Sequence, residues 1–178
     1  MVRVSSRDPR GGDVNLRRIR QACDEQLHRL VLPEPFTIDA FCSTLARERG
    51  KPIRLMPMPD GADSPCGMWL ATADTDWVFH QSATSQLHQE HIVLHELAHM
   101  IFGHTTKQDR SERLQTSLLP DLDPGMIASM LARASYTSVE ERQAEMLAGL
   151  IGAQVRRRDH MDAERDVARA ADVFEPES

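Results

Sequence analysis

A chain of 178 residues has room for one ordinary domain and little more, and 40% hydrophobic with 27% charged residues is the composition of a folded globular protein. A net charge of −6 disfavours a surface that binds nucleic acid non-specifically. No apolar run approaches the roughly 18 residues that cross a bilayer. The opening MVRVSSRDPRGGD has no apolar signal-peptide segment, so a cytoplasmic protein is expected. Cys23, Cys42 and Cys66 are odd in number and lack CxxC spacing, which excludes a disulfide framework or zinc ribbon and predicts small buried thiols.

Residues 1–12 are polar, with Pro9, Gly11 and Gly12, and read as a disordered tail ahead of a single domain spanning 13–178. Leu16, Ile19, Cys23, Leu27 and Leu30 recur at helical spacing and predict a helix over 14–32 that ends before Pro33. A second helix is predicted from Thr37, a capping residue, to Gly50, with Ile38, Phe41 and Leu45 on one face. The period then shortens. Segments 52–58, 66–71 and 76–81, punctuated by Pro, Gly and Asp, predict a small antiparallel sheet, with Trp69 and Trp77 covering its packed face.

The most apolar helix is predicted over 85–103, followed by a polar loop over 104–121. Helices over 123–134 and 139–155 come next, and Arg156–Arg158 lead into a short terminal helix over 163–173. The class is α+β, a helical body with a small antiparallel sheet.

Chemistry concentrates in the run HELAH. His95 and His99 stand four apart on a helix, so both imidazoles leave one face a turn apart and can bind a single zinc ion at about 2.0–2.1 Å. Glu96 sits beside them, placed to take the proton of an attacking water. Ile92, Val93, Leu94, Leu97, Ala98, Met100, Ile101 and Phe102 make the helix apolar nearly all round, hence buried. Burying two histidines and a carboxylate there is costly unless something pairs with them, and a metal does so. The bland alternative is a core helix whose histidines merely hydrogen-bond.

Catalytic zinc takes three protein ligands and keeps one position open. Phe102 stands where HExxHxxGxxH has its glycine, and His104 is at the wrong offset for the third histidine. His91 lies about 12 Å along the helix axis from His99, too far for a shared ion. The run SVEERQAEMLAGLIGAQV instead offers Glu141 and Glu145 on one face, with the small Ala144 permitting close helix approach. One carboxylate can bind the ion, and the other can accept the N–H of a ligating histidine. Glu140 reads as part of a solvated face.

HELAHMIFGH followed by EERQAEMLA resembles the ImmA/IrrE family of bacterial metallopeptidases, whose pattern is HExxH, often with GH just after, then an ExxA[ND] helix. The resemblance covers about residues 50–155 and is carried by these two motifs. It implies a zincin-like metallopeptidase fold and zinc on His95, His99 and Glu141. Glu145 falls on the Asn or Asp position, where it departs by being the longer residue. It also implies a peptidase that acts on a regulatory protein partner, a repressor or antitoxin. The helix-turn-helix often found beside this domain is not visible in the first 50 residues.

Two further residues are candidates for stabilising the oxyanion of peptide hydrolysis. Tyr136, the only tyrosine, lies shortly before Glu141, and His104 just beyond the helix end at Gly103. Their bland readings are a structural tyrosine and a loop-anchoring histidine. Arg156–Arg158 read as ordinary cations along a helix. The expectation is a zinc metallopeptidase in which Glu96 moves the proton, with no direct nucleic-acid or membrane partner. The alternatives are a metal-holding regulatory module that binds its partner without cleaving it, and a zinc hydrolase acting on a small amide or natural-product intermediate.

Overall fold

The computed structural model describes residues 9–58, 66–104 and 136–173. Four helices are seen there, α1 (Pro9–Arg29), α2 (Ile38–Arg49), α3 (Gln86–Phe102) and α4 (Ser138–Val173), with three strands, β1 (Ile53–Met58), β2 (Gly67–Ala71) and β3 (Asp76–Gln81). The α+β class holds. The loop and helix expected over 104–134 lie, beyond His104, outside the described residues.

Helix ends follow capping chemistry. Thr37 accepts from the Ala40 N–H at the start of α2, and Ser85 does the same for His88 at the start of α3. At α4, Thr137 and Glu140 form a reciprocal capping box. The Glu140 N–H donates to Thr137 Oγ1 at 3.3 Å, and the Thr137 N–H donates to Glu140 Oε2 at 2.7 Å. Glu140 therefore starts the helix rather than merely facing solvent, which the spacing T-x-x-E would have announced.

Two helices differ from expectation in their bounds, and α1 ends at Arg29, short of the expected residue 32. α1 begins at Pro9, so residues 9–12 of the expected tail belong to it, while 1–8 lie outside the described residues. α4 runs unbroken for 36 residues where two helices were expected. The reason is plain in the sequence, because no Gly or Pro interrupts the chain between Gly152 and Val173.

The sheet has the order β1-β3-β2. β2 and β3 form an antiparallel hairpin, but β1 runs parallel to β3, with Ile53 opposite Asp76 and Met58 opposite Gln81. The sheet is thus mixed, and the antiparallel expectation is corrected. The direction of β1 depends on how the chain crosses to the far side of β3, which no local pattern encodes. The register also separates the tryptophans. Trp69 stands opposite Val78, and both lie in the main core, whereas Trp77 stands opposite Leu70 and joins Met58, Met68 and Phe79 on the other face.

α3 is the spine of the main core, packed on α4 on one side and on β2 and β3 on the other, with α1 behind α4. Ala144, Leu147, Ala148 and Ile151 form a fully buried stripe on α4 at helical spacing, meeting Leu97 and Ala98 of α3 in one cluster. Cys23 and Cys42 lie in this core, where burial pushes their thiols up to about 11 and about 12. Cys66 is exposed, against expectation, because it precedes β2 at the rim of a cleft.

One buried charge ties the sheet to α2. Asp76 has no exposed surface, yet it accepts from Arg49 Nε at 2.6 Å, from the Trp69 indole N–H at 3.0 Å and faces Lys51 Nζ at 3.0 Å. The Arg49 guanidinium also lies over the Trp69 ring, 5.5 Å from its centroid. Deleting one partner of such a buried network costs about 3–5 kcal/mol, since the groups left behind lose their compensation. Asp76→Ala is accordingly expected to lower unfolding stability by about that amount in urea titration. Asp76→Asn, which keeps an acceptor for Trp69, should lose less. Equal and small losses for both would show that the network is dispensable.

Candidate metal centre

The sequence places His95 and His99 on one face of α3, and the fold brings the first turn of α4 against that face. The two Nε2 atoms stand 3.0 Å apart. Glu141 Oε2 lies 3.3 Å from His95 Nε2 and 3.8 Å from His99 Nε2. Ligand atoms on a tetrahedral zinc with bonds of about 2.0–2.1 Å are about 3.4 Å apart, so the three separations bracket what one ion requires. Among the described residues, His95, His99 and Glu141 are the group whose donor atoms all lie within 4.8 Å of one another.

Each ligand nitrogen presented to this point has its opposite ring nitrogen occupied. His95 Nδ1 faces Glu145 Oε2 at 3.4 Å, and the same carboxylate meets His91 Nε2 at 3.2 Å. Glu145 thus stands behind His95, while Glu141 completes the group that could hold a metal ion. The Glu145 carboxylate is held below its usual range. Partial burial raises it, but the hydrogen bond and charge of His91, with His95, outweigh that. His99 is wholly buried, and its imidazole is pushed down to about 3 by burial and by the neighbouring His95 and His104. It is therefore neutral at physiological pH, with a lone pair ready for a cation.

Glu96 lies on the other side of the pair, beneath β2. It is buried, and its carboxyl is pushed up to about 8, first by burial and then by the charge of Glu141, against the Trp69 backbone N–H that reaches it. Its Oε2 is buried with no hydrogen-bond partner among the described residues. Two imidazoles and two carboxyl groups, one of them Glu96 with its orphaned buried oxygen, have no cationic side chain bonded to them among the described residues, and form a donor set that fits a divalent cation.

The strand approaches this closely because residue 67 is glycine. A Cβ there would stand 2.6 Å from Ile92 Cγ2 and 2.8 Å from Glu96 Oε1, closer than real atoms come. Sequence reading missed Gly67. Its signal was a glycine opening a strand, which marks close approach by another group.

Cys66, Gly67, His91, His95, Glu96, His99, Tyr136, Glu141 and Glu145 help to line a cleft of about 310 Å³. Tyr136 stacks on His99, with ring centroids 3.6 Å apart and planes 15° from parallel, and so belongs to the site as expected from its position. His104 does not line the cleft. It is buried behind His99, its Nδ1 3.0 Å from His99 Nδ1, on the side of that ring turned away from Glu141. In place of the expected oxyanion position, His104 contacts the rear of the His99 ring.

No protein-family model, curated protein or solved structure matches this chain. Among the described residues, no helix is long and apolar enough to cross a membrane.

Glu96 makes the metal-free protein sensitive to base. Its folded pKa of about 8 lies above the ordinary 4.5, so the folded state holds more protons between those values and stability falls as pH rises through them. His99 acts oppositely and in acid, since its folded pKa of about 3 lies below the ordinary 6.5 and stability is lost as pH falls through that window. Urea titrations in chelator should show the alkaline decline between pH 6.5 and 8, beyond the His99 window. Glu96→Gln should flatten it. An unchanged slope in that variant would remove Glu96 as its source.

Proposed function

We propose that this protein is a zinc-dependent metallopeptidase with a zincin-like core, of the ImmA/IrrE kind its two motifs resemble, and that it cleaves a peptide bond in a regulatory protein partner. The observation that carries the reading is the convergence of His95 Nε2, His99 Nε2 and a Glu141 oxygen, with buried Glu96 in the same cleft.

His95, His99 and Glu141 would hold the ion. Bound there, zinc supplies Lewis-acid polarisation of the scissile carbonyl and a lowered pKa for the attacking water. Glu96 takes a proton from that water and passes it to the departing amine nitrogen. A carboxyl tuned toward neutral pH suits both halves of that transfer. Tyr136, stacked on His99 at the cleft wall, is the residue we assign to the developing oxyanion.

A peptide substrate is supported by the edge of the sheet. The Thr72 N–H bonds to Thr75 O, and the Gln81 N–H bonds to Cys66 O. In the β2–β3 register this turns the backbone groups of Gly67, Trp69 and Ala71 to the free edge. The Trp69 N–H reaches Glu96, so Gly67, which lines the cleft, remains to pair with an extended chain.

Purified protein is expected to bind one zinc per chain and to cut members of a mixed peptide library, read by mass spectrometry. Glu96→Gln should keep its zinc and lose about 10²–10⁴-fold in cleavage rate. Gly67→Ala should retain zinc but impair cleavage, because the added methyl collides with Glu96. Zinc binding with no cleavage by wild type would favour a metal-holding module that binds without cutting, and absence of zinc would overturn the assignment.

A further inference from the structure

The reverse side of His99 is built as carefully as its metal-facing side, and the construction begins in the helix cap. α3 ends at Gly103, whose φ of 66° is the left-handed conformation that favours glycine. The Gly103 N–H then bonds to Met100 O at 3.1 Å and the His104 N–H to His99 O at 3.0 Å, the paired bonds of a Schellman motif. That turn returns residue 104 to residue 99. The His104 side chain completes the return, with Nδ1 3.0 Å from His99 Nδ1.

His104 is itself held on three sides. It is 8% exposed, lies parallel to the Phe102 ring at a centroid distance of 5.2 Å, and flanks Tyr136. Its Nε2 meets Gln143 Oε1 of α4 at 3.3 Å. With His99 Nε2 committed to a cation, one proton arrangement satisfies the whole row. His99 Nδ1–H donates to His104 Nδ1, and His104 Nε2–H donates to the Gln143 carbonyl oxygen.

We propose that His104 is a positioning residue for the metal centre, which together with Gln143 fixes the tautomer and ring orientation of His99 and thereby raises affinity for zinc. The assignment rests on the reading of His95, His99 and Glu141 as ligands. α4 then serves both histidines from behind, Glu145 directly at His95 and Gln143 through His104 at His99.

The test is zinc affinity, measured by competition with a chromophoric chelator on the full chain. His104→Leu, which fills the space without an acceptor, should weaken zinc binding about 10–100-fold. His104→Asn places a carbonyl oxygen near the former Nδ1 and should recover most of that loss. Gln143→Leu should weaken binding in the same direction. Equal losses in the Leu and Asn variants would mean packing alone, and an unchanged His104→Leu would also overturn the proposal while leaving the metal centre intact. A wild type that binds no zinc would overturn the metal reading and this one with it. Should His104→Leu fail to fold, long-range ¹H–¹⁵N spectra of zinc-loaded wild type decide. The proton is expected on His104 Nε2 and His99 Nδ1, and a His104 ring protonated at Nδ1 refutes the assignment.

Discussion

A helix that is buried nearly all round cannot carry polar side chains unless other elements come to meet them, and α3 carries three in five residues. His99 is wholly buried, Glu96 is 5% exposed and His95 stands at the cleft wall. Leaving such groups unpaired costs several kcal/mol each, more than a small domain can spare. The solution lies in the approach of α4. Its stripe of Ala144, Leu147, Ala148 and Ile151 packs on α3 with no exposed surface, which fixes the crossing of the two helices. Glu141 lies just beyond the end of that stripe and Glu145 beside it. The carboxylates are therefore delivered to the histidines by apolar packing and need no loop to place them.

The opposite wall is set by the sheet. Asp76 binds the Trp69 indole and the Arg49 side chain, and so ties together the end of α2, the start of β3 and the middle of β2. Trp69 in turn presents its backbone N–H to Glu96, and Gly67 lets the strand close on that carboxylate without a clash. Glu96 is thus confined between a helix it belongs to and a strand it touches. Groups held on rigid elements keep the geometry that proton transfer requires better than groups held on loops.

How much of this the sequence discloses depends on the range of the physics involved. Caps, helical periodicity and the HELAH spacing are local, and Thr37, Ser85, Gly103 and the pair His95 and His99 are readable for that reason. Glu141 and Glu145 are readable because their own helix has the right spacing and a small residue between them. The parallel course of β1, by contrast, depends on chain crossing, and the burial of Asp76 depends on Arg49 and Lys51 arriving from another element. Asp76 reads in isolation as an ordinary polar residue at a strand end. Residue type alone puts Cys66 in the core, where cysteines usually lie, whereas its place at the rim follows from the strand it precedes. The continuity of α4 is legible too, since the arginines at 156–158 do not stop a helix.

The two histidines proposed as ligands differ in what stands behind them, and the difference follows burial. His95 lies at the cleft wall and is backed by Glu145, a carboxylate whose side chain is 64% exposed and keeps its hydration. His99 lies inside the core, where a second carboxylate would carry a desolvation penalty of several kcal/mol. A neutral His104 and a neutral Gln143 stand there instead, supplying an acceptor without burying another charge. A charged acceptor makes the stronger hydrogen bond, so the neutral one is the better choice only where water is excluded. The His104 position is fixed by the helix cap that follows His99, so the pattern HxxxGH makes the end of α3 part of the proposed metal centre.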